Sequence, residues 1–344
     1  MALSSEGSDV TYLLRGANER HFSIERVFSD IADRIGVERV VHTARLPHSG
    51  VRPDRLLRNV LAALRIRGGI IHVTGDVHYA LCSVSRNSRL VVTVHDLNRF
   101  AELRGWRRLA YRLFWILPLR RADAITCVSD FSRLQLIDAD QKLRDRCVVI
   151  ENPLSDVFVR SPGCQPVDGH VVAVGTAPNK NLKATIAACA QIEGATLTVV
   201  GSMSEDQVDL ARTLGVPITQ VQGISDEELA SVYRSASVLS FPSTAEGFGL
   251  PIIEAQGCGV AVVTSDISPL AEVSNGAALL IDPFDLEGLV GALRQAINRG
   301  PEIEEMIEAG SQNAAGRRVE VIGREYEDLY RALEASSAME EIDA

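Results

Sequence analysis

Short apolar runs alternate with segments whose apolar side chains recur every three or four positions, and this alternation extends along most of the chain. A continuous apolar run bounded by turn residues reads as a strand buried on both faces, whereas the longer period reads as an amphipathic helix. In the first half the pattern predicts strands over residues 10–14, 39–43, 70–73, 90–94, 124–128 and 147–150. It also predicts a helix from about Ser23, with Ser23 or His21 near its start and Ile24, Val27, Phe28, Ile31, Ala32 and Ile35 on one face. Residues 56–64 carry the same helical spacing. The second half is more regular: strands over 171–174, 196–200, 218–221, 238–243, 260–264 and 278–281 alternate with helices over 182–190, 204–214, 226–235 and 285–298. Strand and helix in strict turn predict an α/β protein with parallel sheets covered on both faces.

At 344 residues the chain exceeds one ordinary core, which favours two domains. The stretch 155–169 carries Pro162, Gly163, Pro166 and Gly169 without periodicity and reads as a linker, so the expected domains are 1–160 and 168–317. An amphipathic stretch around 321–333 follows, and the acidic tail 335–344 is expected to fray.

Composition narrows the setting. No apolar stretch approaches the roughly 20 residues that cross a bilayer, and Met1 to Ser8 is small and polar, so a soluble cytoplasmic protein is expected. Cys82, Cys127, Cys147, Cys164, Cys189 and Cys258 are dispersed with no C-x-x-C pair and read as reduced core residues. A net charge of -10 argues against nucleic acid as a partner. The arginines are nevertheless clustered: Arg52, Arg55, Arg58, Arg65 and Arg67 form one group. A second group comprises Arg104, Arg107, Arg108, Arg112, Arg120 and Arg121, interleaved with Trp106, Tyr111, Phe114 and Trp115. Two readings stand side by side: peripheral contact with an anionic membrane, or solvated arginine faces over ordinary cores.

The chemistry concentrates in Glu246-Gly247-Phe248-Gly249-Leu250-Pro251-Ile252-Ile253-Glu254, which follows a predicted strand. Pro251 suits a helix first turn, and the glycines let main-chain N–H groups approach a ligand where the helix offers unpaired donors and a positive dipole end.

This Glu-x7-Glu segment resembles the signature of the retaining nucleotide-sugar glycosyltransferases of family 4. Val174-Gly175 with Lys180-Asn181, residues 198–202, residues 223–229 and Glu272-Val273 fit the family's order, so the resemblance covers roughly residues 90 to 300. It implies the GT-B fold: two doubly wound, Rossmann-like domains facing a central crevice, with a final helix, here about 318–334, packed back on the first domain. It further implies transfer of a sugar from a nucleotide diphosphate donor to an acceptor hydroxyl with retained anomeric configuration, no required cofactor and no metal. Glu246 would lie near the anomeric centre, Lys180 would stabilise the leaving diphosphate, and Glu254 would accept ribose hydroxyls. Gly175, Thr176, Gly223, Ile224, Gly247, Phe248, Gly249 and Leu250 complete the implied donor site, with Phe248 as a packing residue. His95, at the end of a strand in Val94-His95-Asp96, resembles the family's segment that contacts the transferred sugar.

Two departures qualify the match. Thr176 stands where an arginine often follows the glycine, leaving Arg133 or Lys183 to compensate for a second phosphate cation. The glycine-rich first loop is replaced by a segment whose Arg15, Gly16, Arg20 and Glu25 are candidate acceptor-binding residues. Mannose, glucose and N-acetylglucosamine all remain open as donor sugar, with a glycan or lipid-linked acceptor. The alternative is a non-catalytic relative that binds nucleotide sugar as a regulatory or partner subunit. No G-x-G-x-x-G follows either domain's first strand, which disfavours a dinucleotide oxidoreductase.

Overall fold

A computed structural model of the chain describes residues 9–16, 23–36, 39–49, 52–85, 87–161 and 166–342. Arg20, His21 and Cys164 therefore lie outside the described residues, as do the side chains of Ser23 and Ile24.

The chain forms two compact units, Met1–Pro153 with Val319–Ala344, and Leu154–Arg318. The first contains β1 (Val10–Leu14), α1 (Ser23–Ile35), β2 (Val41–Arg45), α2 (Pro53–Ala63), β3 (Ile70–Val73), β4 (Arg89–Val94), α3 (Asn98–Glu102), α4 (Gly105–Tyr111), β5 (Ala124–Cys127), α5 (Asp130–Ala139) and β6 (Cys147–Val149). All its strands are parallel, in the order β2-β1-β3-β4-β5-β6. The second contains β7 (His170–Val174), α6 (Leu182–Cys189), β8 (Thr196–Val200), α7 (Glu205–Leu214), β9 (Ile218–Val221), α8 (Asp226–Ser235), β10 (Val238–Phe241), α9 (Leu250–Gly257), β11 (Ala261–Ser265), α10 (Leu270–Ser274), β12 (Leu279–Ile281), α11 (Leu286–Asn298) and α12 (Pro301–Ala315). Its sheet is also parallel, in the order β12-β11-β10-β7-β8-β9. The last helix, α13 (Val319–Ile342), belongs to the first unit.

Val27, Phe28, Ile31 and Ile35 of α1 are buried, as their spacing predicts. Phe28 packs edge-on against Tyr12, His72 and Tyr326, so α1 and α13 meet over the same patch of sheet. Polar atoms within this apolar layer are satisfied in sequence. Tyr330 Oη lies 2.7 Å from His72 Nδ1, and His72 Nε2 lies 2.8 Å from Thr93 Oγ1, which is 2.7 Å from Thr126 Oγ1. Burial holds the His72 pKa down at about 3, so the ring is neutral.

Several expectations need correction. The second strand begins at Val41 rather than 39, because the buried Arg39 guanidinium binds both oxygens of Glu327 at 2.7 Å and Glu334 Oε1 at 2.8 Å on α13. The tail does not fray where expected: α13 continues to Ile342. Cys82 is exposed and Cys147 half-buried, whereas Cys127, Cys189 and Cys258 are core residues. The pattern gave no sign of α12, whose close approach to α9 rests on Gly310. A Cβ there would stand 2.9 Å from Gln256 Cγ, and Asn313 Nδ2 reaches Gln256 Oε1 at 2.7 Å.

The boundary between units falls at Pro153, ahead of the Pro/Gly-rich stretch. Leu154 and Phe158 are buried in the second unit, and Arg234 of α8 donates to the carbonyls of Val157 and Val159.

Candidate functional site

In the second sheet the strand order reverses between β7 and β10, and the loops leaving the carboxyl ends of two such strands frame the usual ligand crevice of an open parallel sheet. Those loops carry residues 175–181 and 242–249. They are tied together: Thr244 N donates to Asn179 O at 2.8 Å, and Asn179 Nδ2 donates to Ala245 O at 2.9 Å. Gly175 has φ 90, and a Cβ on it would meet the Lys180 stem at 3.0 Å, so the loop folds tightly enough to turn that lysine onto the β10 loop.

Lys180 Nζ lies 2.6 Å from Glu246 Oε1, which also accepts from Ser243 Oγ at 2.7 Å and from Asn179 Nδ2 at 3.4 Å. All three bonds fall on one oxygen, and Oε2 accepts none among the described residues. The ammonium also sits 4.7 Å from the Phe241 ring centroid. At 21% and 13% side-chain exposure the pair is more shielded than a surface ion pair yet still reachable by a ligand.

Beyond Glu246 the chain enters α9 through Gly249, at φ 115, with Pro251 in the first turn. A helix starting this way leaves its first N–H groups pointing out of the loop. Phe248 is buried and packs rather than facing solvent. Glu254 is also buried, and its Oε2 accepts the Tyr233 hydroxyl at 2.9 Å. Thr176 spends its hydroxyl proton on Ser202 O at 2.7 Å, so in this state its side chain offers an incoming anion no donor. Arg133 is paired with Asp130 at 2.7 Å and Lys183 with Asp206 at 3.4 Å, so neither compensating cation is idle. Gly223, at φ 65, and the half-buried Ile224 form an open loop after β9.

The first sheet reverses between β1 and β3. Arg15, just past β1, forms a two-pronged pair with Glu25 at 3.0 and 3.2 Å. Burial alone would raise the Glu25 carboxyl, but the bonds from Arg15 outweigh it and hold the group below its ordinary pKa. Gly16 has a packing reason: a Cβ there would stand 2.3 Å from the His48 carbonyl carbon. His95, just past β4, places Nε2 at 2.9 Å from Thr74 O. A carbonyl only accepts, so Nε2 carries the proton and Nδ1 is left as an acceptor. Burial lowers this ring's pKa to about 4, so it is neutral near pH 7.

The arginine groups divide. Arg120 binds Asp140 at 2.6 and 3.0 Å, and Arg121 holds the carbonyls of Leu81 and Val84. Around α4, by contrast, Trp106, Leu109, Leu113 and Phe114 are exposed, Trp106 by 74%, while Tyr111 and Trp115 are buried. Leu57, Leu61 and Leu64 are exposed in and just after α2. Among the described residues no helix is long and apolar enough to cross a membrane, and no group of three His, Cys, Asp or Glu could hold a metal.

Sequence reasoning missed Ser243, Asn179 and Tyr233. Ser243, three positions before Glu246 in a loop, carried a local signal; Tyr233 reaches Glu254 from α8 and carried none.

Comparison with known proteins agrees with this architecture. Residues 1–156 match the family model described as Glycosyltransferase Family 4, and residues 168–299 match Glycosyl transferases group 1. The chain is 31% identical over 236 residues to O-antigen chain mannosyltransferase B of Escherichia coli, covering 62% of each protein. It is 29% identical to D-inositol 3-phosphate glycosyltransferase of Mycolicibacterium smegmatis over 52% of this chain and 46% of that one. The matched regions thus span less than two thirds of either relative. A broader match, 26% identical over 83% of this chain and 76% of the relative, is to MMP alpha-(1->4)-mannosyltransferase of Mycolicibacterium hassiacum. Among solved structures, Anabaena HepE in complex with UDP and glucose superposes with TM-score 0.77 at 17% identity, over 94% of this chain and 99% of that one.

Proposed function

The chain belongs to glycosyltransferase family 4 and has the GT-B fold, and from that premise we propose that it moves a hexosyl group from a nucleotide diphosphate sugar to an acceptor hydroxyl with retention of anomeric configuration. The observation that carries this reading is the Lys180–Glu246 pair at the β7/β10 reversal. A site for a leaving diphosphate needs a cation that can be redirected as negative charge develops. Lys180 meets that need: its partner Glu246 retains the Ser243 hydroxyl when the ammonium turns to phosphate. Glu246, relieved of the lysine, then presents negative charge to an oxocarbenium-like centre. Glu254 binds ribose hydroxyls, and Gly175, Gly223 and the N–H groups of residues 247–250 line the donor. In a same-face displacement the leaving phosphate oxygen takes the acceptor proton, so neither a paired acid and base nor a metal is required.

The relatives' names support a mannosyl or glucosyl donor and a role in polysaccharide or glycolipid synthesis. An acceptor at the inner face of a cytoplasmic membrane is consistent with Trp106, Leu109, Leu113 and Phe114 standing exposed among Arg104, Arg107, Arg108 and Arg112, a combination suited to anionic headgroups.

The test is a thermal-shift panel of nucleotide diphosphates and their sugars on wild type and Glu254→Ala, followed by transfer assays with the anomer of the product read by NMR. A base-selective shift lost in the variant, with product of retained configuration, supports the proposal. Binding without turnover favours the non-catalytic reading, to which Thr176 in place of an arginine already points. No shift with any nucleotide overturns both.

A further inference from the structure

Pro166, Ala236 and Cys258-Gly259 precede β7, β10 and β11, three neighbouring strands of the second sheet, and they line a cavity of about 270 Å³ at the amino ends of those strands. The loops that carry Lys180 and Glu246 leave the opposite, carboxyl ends. β7 is five residues long, so roughly 16 Å of strand separates the two places. An open parallel sheet holds its usual ligand at the carboxyl ends, so this cavity is no part of the donor crevice.

Its wall is cationic. Arg160, Arg234 and Arg299 line it, and Glu304 is the one carboxylate among the described lining residues. Arg234 of α8 donates Nε to Val159 O at 3.0 Å and Nη2 to Val157 O at 2.6 Å, which fixes the segment that carries Arg160. The Arg160 stem crosses Gly259: a Cβ there would stand 2.9 Å from Cδ and 3.0 Å from Cγ, so a side chain at 259 would push the arginine off the cavity. Arg299 Nε stands 3.0 Å from Glu304 Oε1 without hydrogen-bond geometry, and Arg160 Nη1 is 4.0 Å from Glu308 Oε2. Among the described residues neither of these two guanidinium groups donates a hydrogen bond, although the Arg299 side chain is only 23% exposed. Arginine carries five N–H donors in a planar fork that matches phosphoryl oxygens, and donors removed from water are normally paired.

We infer that this cavity is a binding site for a small phosphomonoester that carries a hydroxyl group: Arg160 and Arg299 hold the phosphoryl oxygens, Arg234 adds positive charge to the wall, and Glu304 accepts the hydroxyl. Three cations against one carboxylate suit a doubly charged anion. The carboxylate selects within that class, because it repels a bare phosphate yet accepts an O–H donor from the organic part of an ester. Size sets the upper limit. The cavity is smaller than the roughly 300 Å³ at which pockets for drug-sized ligands begin, which leaves no room for a nucleotide sugar. The site is therefore separate from the donor site in both place and ligand, and it stands whether or not the chain transfers a sugar.

The test is calorimetric titration, in phosphate-free buffer, of glucose 6-phosphate, inorganic phosphate and glucose into wild type, Arg160→Ala, Arg160→Lys, Arg299→Gln and Lys180→Ala. Glucose 6-phosphate is expected to bind wild type, inorganic phosphate to bind more weakly, and glucose not to bind. Arg160→Ala and Arg299→Gln are each expected to weaken glucose 6-phosphate binding by about tenfold, the loss of one charge-assisted pair, with Arg160→Lys in between. Lys180→Ala, altered only at the far end of the sheet, is expected to bind it as wild type does. Arg160 is exposed, so Arg160→Ala decides the matter even where Arg299→Gln lowers stability. Absence of glucose 6-phosphate binding by wild type, or an Arg160→Ala affinity within about twofold of wild type, overturns the assignment. Loss of binding in Lys180→Ala overturns it too, by placing the phosphate in the donor site. Inorganic phosphate binding as tightly as glucose 6-phosphate overturns the phosphomonoester and leaves an adventitious ion only.

Discussion

Lys180 Nζ stands 2.6 Å from Glu246 Oε1, although the two residues come from loops 66 positions apart in the chain. Removing the ammonium takes away the one cation described against Glu246 and leaves that carboxylate with hydroxyl and amide donors only. Lys180→Ala is expected to lower kcat by about 10²–10³-fold, the usual size for loss of one group stabilising developing charge, and to weaken nucleotide diphosphate binding. Steady-state kinetics with titration of the free nucleotide reads both effects. Unchanged turnover and affinity would remove Lys180 from the site.

Tyr233→Phe deletes the hydroxyl that Glu254 Oε2 accepts at 2.9 Å inside the second unit. An under-satisfied buried carboxylate costs about 1–3 kcal/mol, so urea melts should show lower stability. Because the same carboxylate is assigned to ribose, nucleotide affinity should fall while Lys180 and Glu246 keep their pairing. A variant as stable and as tight-binding as wild type contradicts the prediction.

Gly249→Ala and Gly276→Ala separate two costs. Both glycines have positive φ, 115 and 74, but a Cβ at 249 would stand 2.8 Å from Leu270 Cδ2, whereas nothing lies within 4 Å at 276. Gly276→Ala should cost about 1 kcal/mol of backbone strain, and Gly249→Ala about 2–3 kcal/mol because the buried Leu270 side chain must also shift. Equal melting temperatures for the two variants would show that the loop before α9 relaxes freely.

Stability should fall in mild acid. His72 and His78 are buried, and burial depresses their pKa values to about 3 and about 4. The unfolded chain takes up these protons near pH 6.5 while the folded chain refuses them, so stability is full above 6.5 and is lost as pH falls towards the folded values. Each histidine contributes a slope of about 1.4 kcal/mol per pH unit across that window. Asp76 has the opposite sign, since its raised pKa favours the folded state at low pH and that contribution disappears as pH rises from 3.8 through about 6. Chemical denaturation between pH 4 and 7 measures the balance, and His72→Asn should flatten the curve. A wild-type curve that is flat over this range would count against neutral buried histidines.

The sequence by itself determined the element order and the donor motif. Apolar runs such as residues 196–200 and 238–241 are buried within the parallel sheet they form, and Ser204 and Ser225 announce α7 and α8 by capping boxes with Gln207 and Glu228, interactions only three residues long. Glu246, Gly249 and Glu254 were legible because a loop entering a helix is itself a local structure. Where Arg39 and Arg120 spend their charges was not legible, since Glu327 lies 288 positions from the first and Asp140 reaches the second from beyond an intervening strand. Asp76 shows the same limit from the other side. Nothing within Thr74-Gly75-Asp76-Val77 distinguishes it from a solvated turn, and only the strand order brings this loop to the same sheet edge as Arg15. Local patterning sets which residues form strands and helices, because those choices are governed by backbone hydrogen bonding and the burial of nearby side chains. Which loops share a sheet edge, and therefore which charges meet, depends on strand order, a property of the packed tertiary structure that no local spacing encodes.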